Sequence, residues 1–345
     1  MLRTSFALIC LAGIAAMNLT SARGAAPVRT GPIKVGIIGT DTSHVPAFTK
    51  AMNDPEGKDE MAAVEVVAAF PGGSADIPDS INRVDKYVKE LRDLGVRQIV
   101  GSIEELLPLV DVVLLESVDG RPHLAQAIPV IKAGKPLFID KPVAGSLADA
   151  IAIYDLAAQH KVPVFSSSSL RFSSGILGMR KDDRVGDVVG VDAFGPCHLE
   201  AHHPDLFWYG IHGTEILCTI MGTGCESVSR TQTDGGELVV GVWKGGRIGT
   251  FRGIREGKSD YGAIVFGSKG IAPSGGYEGY KPLVVEIAKF FESGKPPVSA
   301  EETLEIYTLM EAADESKHHN GASVKLSTVF EKAKAEAAKK VAEVK

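Results

Sequence analysis

Two hydrophobic patterns divide the chain. Between residues 33 and 165, short unbroken apolar runs alternate with longer stretches whose apolar positions recur every three or four residues. The runs Ile33–Ile38, Val64–Phe70, Val112–Leu115, Leu137–Ile139 and Val162–Phe165 have the length and composition of strands buried on both faces. Among the stretches between them, Ile81, Val84, Val88 and Leu91 mark one helix, and His123–Ala133 a second, stopped by Gly134. Ser102 with Glu105 has capping-box spacing, and Ser146 with Asp149 opens a helix that runs to about His160. Strands alternating with helices predict an α/β fold with a doubly wound parallel sheet over residues 33–165, which binds ligands at the carboxyl ends of its strands.

Beyond residue 166 the pattern changes. Val188–Phe194, Ser227–Gln232, Leu238–Trp243, Arg247–Gly253 and Gly262–Phe266 read as strands, with Gly235-Gly236 and Gly245-Gly246 as hairpin turns. Helices interrupt or follow them at about His212–Met221, Lys281–Phe291 and Ala300–Ser316. Residues 166–330 are therefore expected to form an α+β domain with a largely antiparallel sheet. Residues 331–345, rich in alanine, lysine and glutamate, read as a solvated helical tail.

At the other end, Arg3, the apolar run Phe6–Met17 and the small residues Ala22, Gly24 and Ala26 read as a Sec-type signal peptide over residues 1–26. The expectation is export to a periplasmic or extracellular location, with no membrane association once the segment is removed. Its removal takes away Arg3 and Arg23 and no acids, so the formal net charge of −6 becomes −8. That balance offers no basic field to a nucleic-acid backbone, and an aromatic content of 6% leaves little for stacking on single strands. Cys197, Cys218 and Cys225 then remain, an odd and sparse set that makes neither a disulfide framework nor a thiolate zinc site.

The chemistry-bearing positions lie where the first strands end. Gly39 follows the first strand and suits a tight phosphate-binding turn, but Asp41 and His44 stand where a dinucleotide turn places its second and third glycines. Asp41 would repel a pyrophosphate; as the cap of the next helix it is ordinary, and the cap is the reading preferred. After Phe70 comes Pro71-Gly72-Gly73-Ser74 instead of the acid that holds a ribose hydroxyl, which leans toward NADP, or toward no cofactor.

The run Ala133-Gly134-Lys135-Pro136-Leu137-Phe138-Ile139-Asp140-Lys141-Pro142 resembles the "AGK…EKP" signature of the Gfo/Idh/MocA oxidoreductases. His123 on the preceding helix, Arg171-Phe172 after the last strand of the first half, and Gly210-Ile211-His212 are similar to that family's pattern in position. The resemblance extends over roughly residues 33–328 and implies a Rossmann domain, NAD or NADP as cofactor, and a carbohydrate-like substrate between the domains. It implies Lys141 as a catalytic or substrate-orienting group with His212 as its acid–base partner. The loops after Gly39 and Leu115 would hold the cofactor through Gly39, Thr40, Asp41, Ser43, Glu116, Ser117, His123 and Asp140. The chain departs from the family at Trp208, where an aspartate is usual, at Asp140, one methylene shorter than glutamate, and at Glu116-Ser117-Val118, where a threonine–proline is usual.

The segment from His202 to His212 is dense in polar and aromatic side chains and reads as a substrate loop. Trp208 and Tyr209 would stack on a sugar ring, while His203 and Asp205, with Arg171, would bond its hydroxyls. His203, Asp205 and His212 are also plausible metal ligands, without a supporting spacing. The second reading on the same fold is a non-redox carbohydrate-binding protein or a cofactor-independent enzyme. By analogy with the family, the antiparallel sheet is a candidate face for homo-oligomers.

Overall fold

The computed structural model describes residues 31–54 and 61–344. The expected signal segment therefore lies outside the described residues. From Pro32 onward the chain folds as one unit built on two sheets. The first contains β1 (Ile33–Ile38), β2 (Val64–Phe70), β3 (Gln98–Ile99), β4 (Val112–Leu115), β5 (Leu137–Ile139) and β6 (Val164–Ser166), in the spatial order β3-β2-β1-β4-β5-β6. All its pairings are parallel. The order reverses between β1 and β4, and a doubly wound sheet opens its binding crevice at such a switch point. The central strands β1, β4 and β5 are almost wholly buried, as their unbroken apolar runs require.

Helices cover both faces. They begin with α1 (His44–Asn53), the short α2 (Pro78–Ile81), α3 (Val84–Asp93) and α4 (Ile103–Leu106), and continue with α5 (His123–Lys132) and α6 (Leu147–His160). The helix expected from Asp79 is broken at Asn82–Arg83. The caps form as read: the Ser102 and Ser146 hydroxyls accept from the Glu105 and Asp149 amides, both at 3.1 Å.

After one further helical turn, α7 (Ser174–Leu177), the second sheet runs in the order β12-β11-β7-β10-β9-β8-β13. Its strands are β7 (Val188–Pro196), β8 (Cys225–Thr233), β9 (Gly236–Trp243), β10 (Ile248–Ile254), β11 (Gly262–Gly267), β12 (Ile271–Pro273) and β13 (Val324–Lys325). Every pairing is antiparallel except the β7–β10 pair. The buried helix α8 (Ile211–Met221) lies against this sheet so closely that a Cβ on Gly213 would fall 2.0 Å from the Phe251 ring. The three cysteines of this half are buried free thiols.

Two expectations about the C-terminal helices are corrected. The helix α9 (Lys281–Ser293), read as part of the second domain, packs on the first sheet. Its Leu283, Ile287 and Phe290 share one apolar cluster with Val35, Ile37, Phe138 and Phe165. The tail is not solvated either: α11 (Leu326–Glu343), which follows α10 (Ala300–His318), buries Ala333, Ala337 and Val341 along one stripe against α6. The ion pair Lys340–Asp149 at 2.9 Å lies beside that contact. Small residues at intervals of four let the two helices approach, whereas the surrounding lysines and glutamates dominate the composition.

Phe290 stands edge-on to Phe165 with ring centroids 4.9 Å apart and is 1% exposed. Phe290→Ala should therefore cost about 3–5 kcal/mol of unfolding free energy, measured by denaturant titration. A change below about 1 kcal/mol would show that α9 does not hold the first sheet.

Candidate active site

The site lies where the carboxyl ends of β1, β4, β5 and β6 meet the loop before α8. Thr42, His44, Lys141, Ser169, Trp208, Tyr209, His212, Tyr261, Tyr277 and Tyr280 surround a cleft of about 190 Å³. The two residues expected to carry proton transfer are thus brought together. Lys141 follows β5; its Nζ lies 5.8 Å from the centroid of the Tyr209 ring. Lys141 retains some exposed surface, yet its surroundings desolvate the ammonium and lower its pKa, against the raising pull of Asp140. His212 is buried, and burial pushes its pKa well below the ordinary imidazole value, helped by the positive charges of Lys141 and His44. The Ser168 hydroxyl, 2.7 Å from Nδ1, fixes the ring.

Asp140 does not stand free for a cofactor. Its Oδ2 lies 2.5 Å from His44 Nδ1, and its Oδ1 accepts from the Lys141 amide at 2.8 Å. Burial works to raise its pKa, but the His44 charge and hydrogen bond, with Lys141, outweigh that and hold the carboxyl below its ordinary value. His44 stacks on Phe48 and meets Tyr280 edge-on, which seats this dyad against the cleft.

Three residues expected in the substrate site are structural. Arg171 is buried, with Nε donating to Glu215 at 2.6 Å and Nη1 to Glu302 at 2.8 Å. Asp205 turns away to Arg230 at 2.9 Å and Lys317 at 2.6 Å. His203 is sealed beneath Trp208: its Nδ1 lies 2.9 Å from Glu200, and its Nε2 lies 3.1 Å from both the Gly120 amide and Asp119. His203, Asp205 and His212 therefore each have separate partners and do not converge on a metal position. Trp208 and Tyr209 do line the cleft.

Most of the expected cofactor residues are engaged within the protein. Asp41 is not a helix cap: the residue before α1 is the exposed Ser43, which makes no capping bond. The Asp41 carboxylate is fully buried and accepts from the Ser80 hydroxyl at 2.5 Å and the Val118 amide at 3.0 Å. Gly39 makes the tight turn at φ +86°, and a Cβ there would lie 2.5 Å from the Ser117 amide, so the loops after β1 and β4 touch. The Thr40 amide bonds the Gly72 carbonyl at 3.3 Å. Ser117 donates to Gln126, and the fully buried His123 spans the Ser117 and Val143 carbonyls at 2.8 and 3.3 Å. Both Glu116 carboxyl oxygens are buried without a partner. Burial, then repulsion from Asp140 and Asp41, raises the Glu116 pKa well above the ordinary value. A pyrophosphate needs N–H donors and positive charge; the turn presents buried carboxyls. As they stand, these carboxyls oppose a pyrophosphate at the turn.

Burial pushes Asp41 up to about 6 from an ordinary 3.8, against the lowering bonds from Ser80 and Val118. Between those two pH values the native chain holds the proton more tightly than the unfolded chain, so this group makes stability fall as pH rises from about 4 to 6. Asp41→Asn removes the titration. Its unfolding free energy relative to the wild type should improve by up to about 3 kcal/mol between pH 4 and pH 7, measured by urea unfolding at both. A pH-independent difference would refute the buried, ionising carboxyl.

Residues 33–168 match a family model described as the oxidoreductase family with an NAD-binding Rossmann fold. Solved structures agree in fold. A probable dehydrogenase from Thermotoga maritima is 22% identical, aligns over 86% of this chain and 100% of its own, and superposes with a TM-score of 0.69. A putative myo-inositol dehydrogenase from Sinorhizobium meliloti is 17% identical over 85% and 99% of the two chains, with a TM-score of 0.69. The myo-inositol dehydrogenase of Lactobacillus casei, solved with NAD(H) and myo-inositol, is 18% identical over 85% and 96%, with a TM-score of 0.68. No match emerged among curated proteins. Residues 33–168 thus match the NAD-binding Rossmann domain of the Gfo/Idh/MocA oxidoreductase family, and the second, largely antiparallel domain completes the two-domain fold shared with these solved structures.

Proposed function

We propose that this protein is an oxidoreductase acting on a sugar or a sugar derivative bound in the Lys141–His212 cleft, in the exported compartment to which residues 1–26 would deliver it. The observation that carries the reading is the convergence of the Lys141 ammonium and the His212 imidazole on one small aromatic-walled space. About 190 Å³ is below the roughly 300–1,000 Å³ of drug-sized sites, so it suits one small ring. Trp208, Tyr209, Tyr261, Tyr277 and Tyr280 offer ring faces and phenol hydroxyls to a polyhydroxylated ligand. Interconverting an alcohol and a ketone moves a hydroxyl proton, and the group that takes it works best with a pKa near the operating pH. Burial moves Lys141 in that direction and keeps His212 neutral and able to accept. The inositol bound by the Lactobacillus casei enzyme belongs to the same chemical class.

Of the two nicotinamide dinucleotides, the missing acid after Phe70 favours NADP. The second reading, a carbohydrate-binding protein or a cofactor-independent enzyme, is favoured by the buried Asp41 at the phosphate turn. Calorimetric titration of inositols, hexoses and sugar acids tests the ligand class directly, and binding of none of them would end the sugar reading. With a turned-over ligand in hand, Lys141→Ala should lower kcat at least about 100-fold while leaving dinucleotide affinity within about threefold. Unchanged turnover would remove Lys141 from the chemistry.

The partner proposed for the second sheet is another copy of the chain. Its outward face carries Val242 and Ile248, directly paired across β9 and β10, with Ile264 nearby on β11, all exposed. Replacing Val242 and Ile248 with aspartate should convert an oligomer to a monomer in sedimentation velocity. A wild type that is already monomeric at tens of micromolar would refute the interface.

A further inference from the structure

The strongest disagreement between fold and residues lies at the phosphate turn. A Rossmann fold lays a dinucleotide across the gap between the turn after β1 and the loop after β4, with the pyrophosphate against backbone N–H groups at the start of α1. In this chain the gap is bridged from both sides. Asp41, two residues beyond Gly39, reaches across it to the Val118 amide and is held from the other side by the Ser80 hydroxyl of α2. Ser117 rests directly on Gly39. Farther out, the loop after β2 is tied to the loop after β4: Ser74 donates to Asp119 at 2.5 Å, and Arg121 forks onto Asp76 with two bonds of 2.8 Å. At this rim Arg121 is shared between Asp76 and Asp119.

We infer that the Asp41 carboxylate is an internal stand-in for the pyrophosphate: it takes the Val118 amide and the Ser80 hydroxyl on the far side of the turn, closes the groove and sets this chain's affinity for dinucleotides. Shape and charge act together. The carboxylate is an anion of the right kind for an amide and a hydroxyl, and being covalently attached it is present at a high effective concentration. A dinucleotide must displace it, and the displaced carboxylate remains beside Glu116 and close to the incoming phosphates. Glycine at this position would leave the Val118 amide and the Ser80 hydroxyl free and open the approach.

The test compares the wild type with Asp41→Gly, Asp41→Asn and Ser80→Ala in calorimetric titrations with NAD and with NADP, after thermal melts establish which variants fold. The expected result is dinucleotide binding at least tenfold tighter in Asp41→Gly than in the wild type, with Asp41→Asn between them. Ser80→Ala should shift the same way by a few-fold, because it loosens the carboxylate without removing it. Hydrogen exchange gives a readout independent of any ligand: the Val118 amide should lose protection in Asp41→Gly. If Asp41→Gly does not fold, Asp41→Asn and Ser80→Ala decide. Equal dinucleotide affinity across the folded proteins, measurable or below detection in all of them, overturns the inference. Sugar binding to the wild type is measured without dinucleotide, so a failure of the proposed substrate class is seen separately.

Discussion

Buried negative charge at the ends of the parallel strands is the constraint around which this molecule is arranged. Asp41, Glu116, Asp119 and Asp140 are each at most 2% exposed, and they come from the ends of β1, β4 and β5 or the loops after them. Carboxylates so placed repel one another and lose their hydration, so each must find donors or give up its charge. Three of them recruit partners. Asp140 takes His44 and the Lys141 amide, Asp119 takes Arg121 and Ser74, and Asp41 takes Ser80 and Val118. Glu116 finds none, and burial with its acidic neighbours Asp140 and Asp41 pushes its pKa well up. The loops after β1, β2 and β4 are fixed as a consequence, since the bonds that satisfy the acids are also the bonds that join the loops.

The same constraint links the cleft to the closed groove. Asp140 holds His44 on one side of the cleft, and its charge partly offsets the desolvation of Lys141. Lys141 in turn helps keep His212 neutral. A change at any of these groups is felt by the next, because charges buried in the protein are weakly screened. The second domain enters through Ser168, Trp208, Tyr209, Tyr261 and Tyr277, so the site exists only when the two sheets are assembled around it. Arg171 secures that assembly from behind, by pairing with Glu215 of α8 and Glu302 of α10. Breaking such a buried pair from one side leaves an uncompensated charge, which is why an arginine so placed belongs to the architecture and not to the ligand.

Local signals in the sequence carried the fold far. Apolar runs with helical stretches between them define the parallel sheet, and Asp140-Lys141-Pro142 at a strand end marks the cleft, because both depend on neighbours within a few residues. For the polar residues that local pattern misplaces, one physical cause is shared: the side chain's partner is distant in sequence. Asp41 before a helix looks like a cap, yet its donors stand 39 and 77 residues away. Asp205 among aromatics looks like a substrate residue, yet Arg230 and Lys317 neutralise it. His44 passed for a missing glycine because Asp140, 96 residues on, is invisible to any local pattern. The stripe Ala333, Ala337 and Val341 is the exception: its helical spacing was legible, and the lysines and glutamates around it obscured it.

The family's fold and the chain's own electrostatics thus make different demands on the same few residues. A fold is specified by apolar pattern and packing, and these are satisfied here by β1, β4 and β5 with α9 laid over them. Function resides in the groups placed on the fold, and it can change while the packing stays the same. The first strand still ends in a glycine turn, and the first helix still starts where phosphate would meet its amides. Between them the chain has set a carboxylate, and the nearest loop has closed onto it. The Lys141–His212 cleft shares Thr42 and Val118 with the loops of that groove, while its aromatic walls come from Trp208 and the tyrosines. The two regions thus meet at the loops after β1 and β4, and the side chain buried between those loops is Asp41.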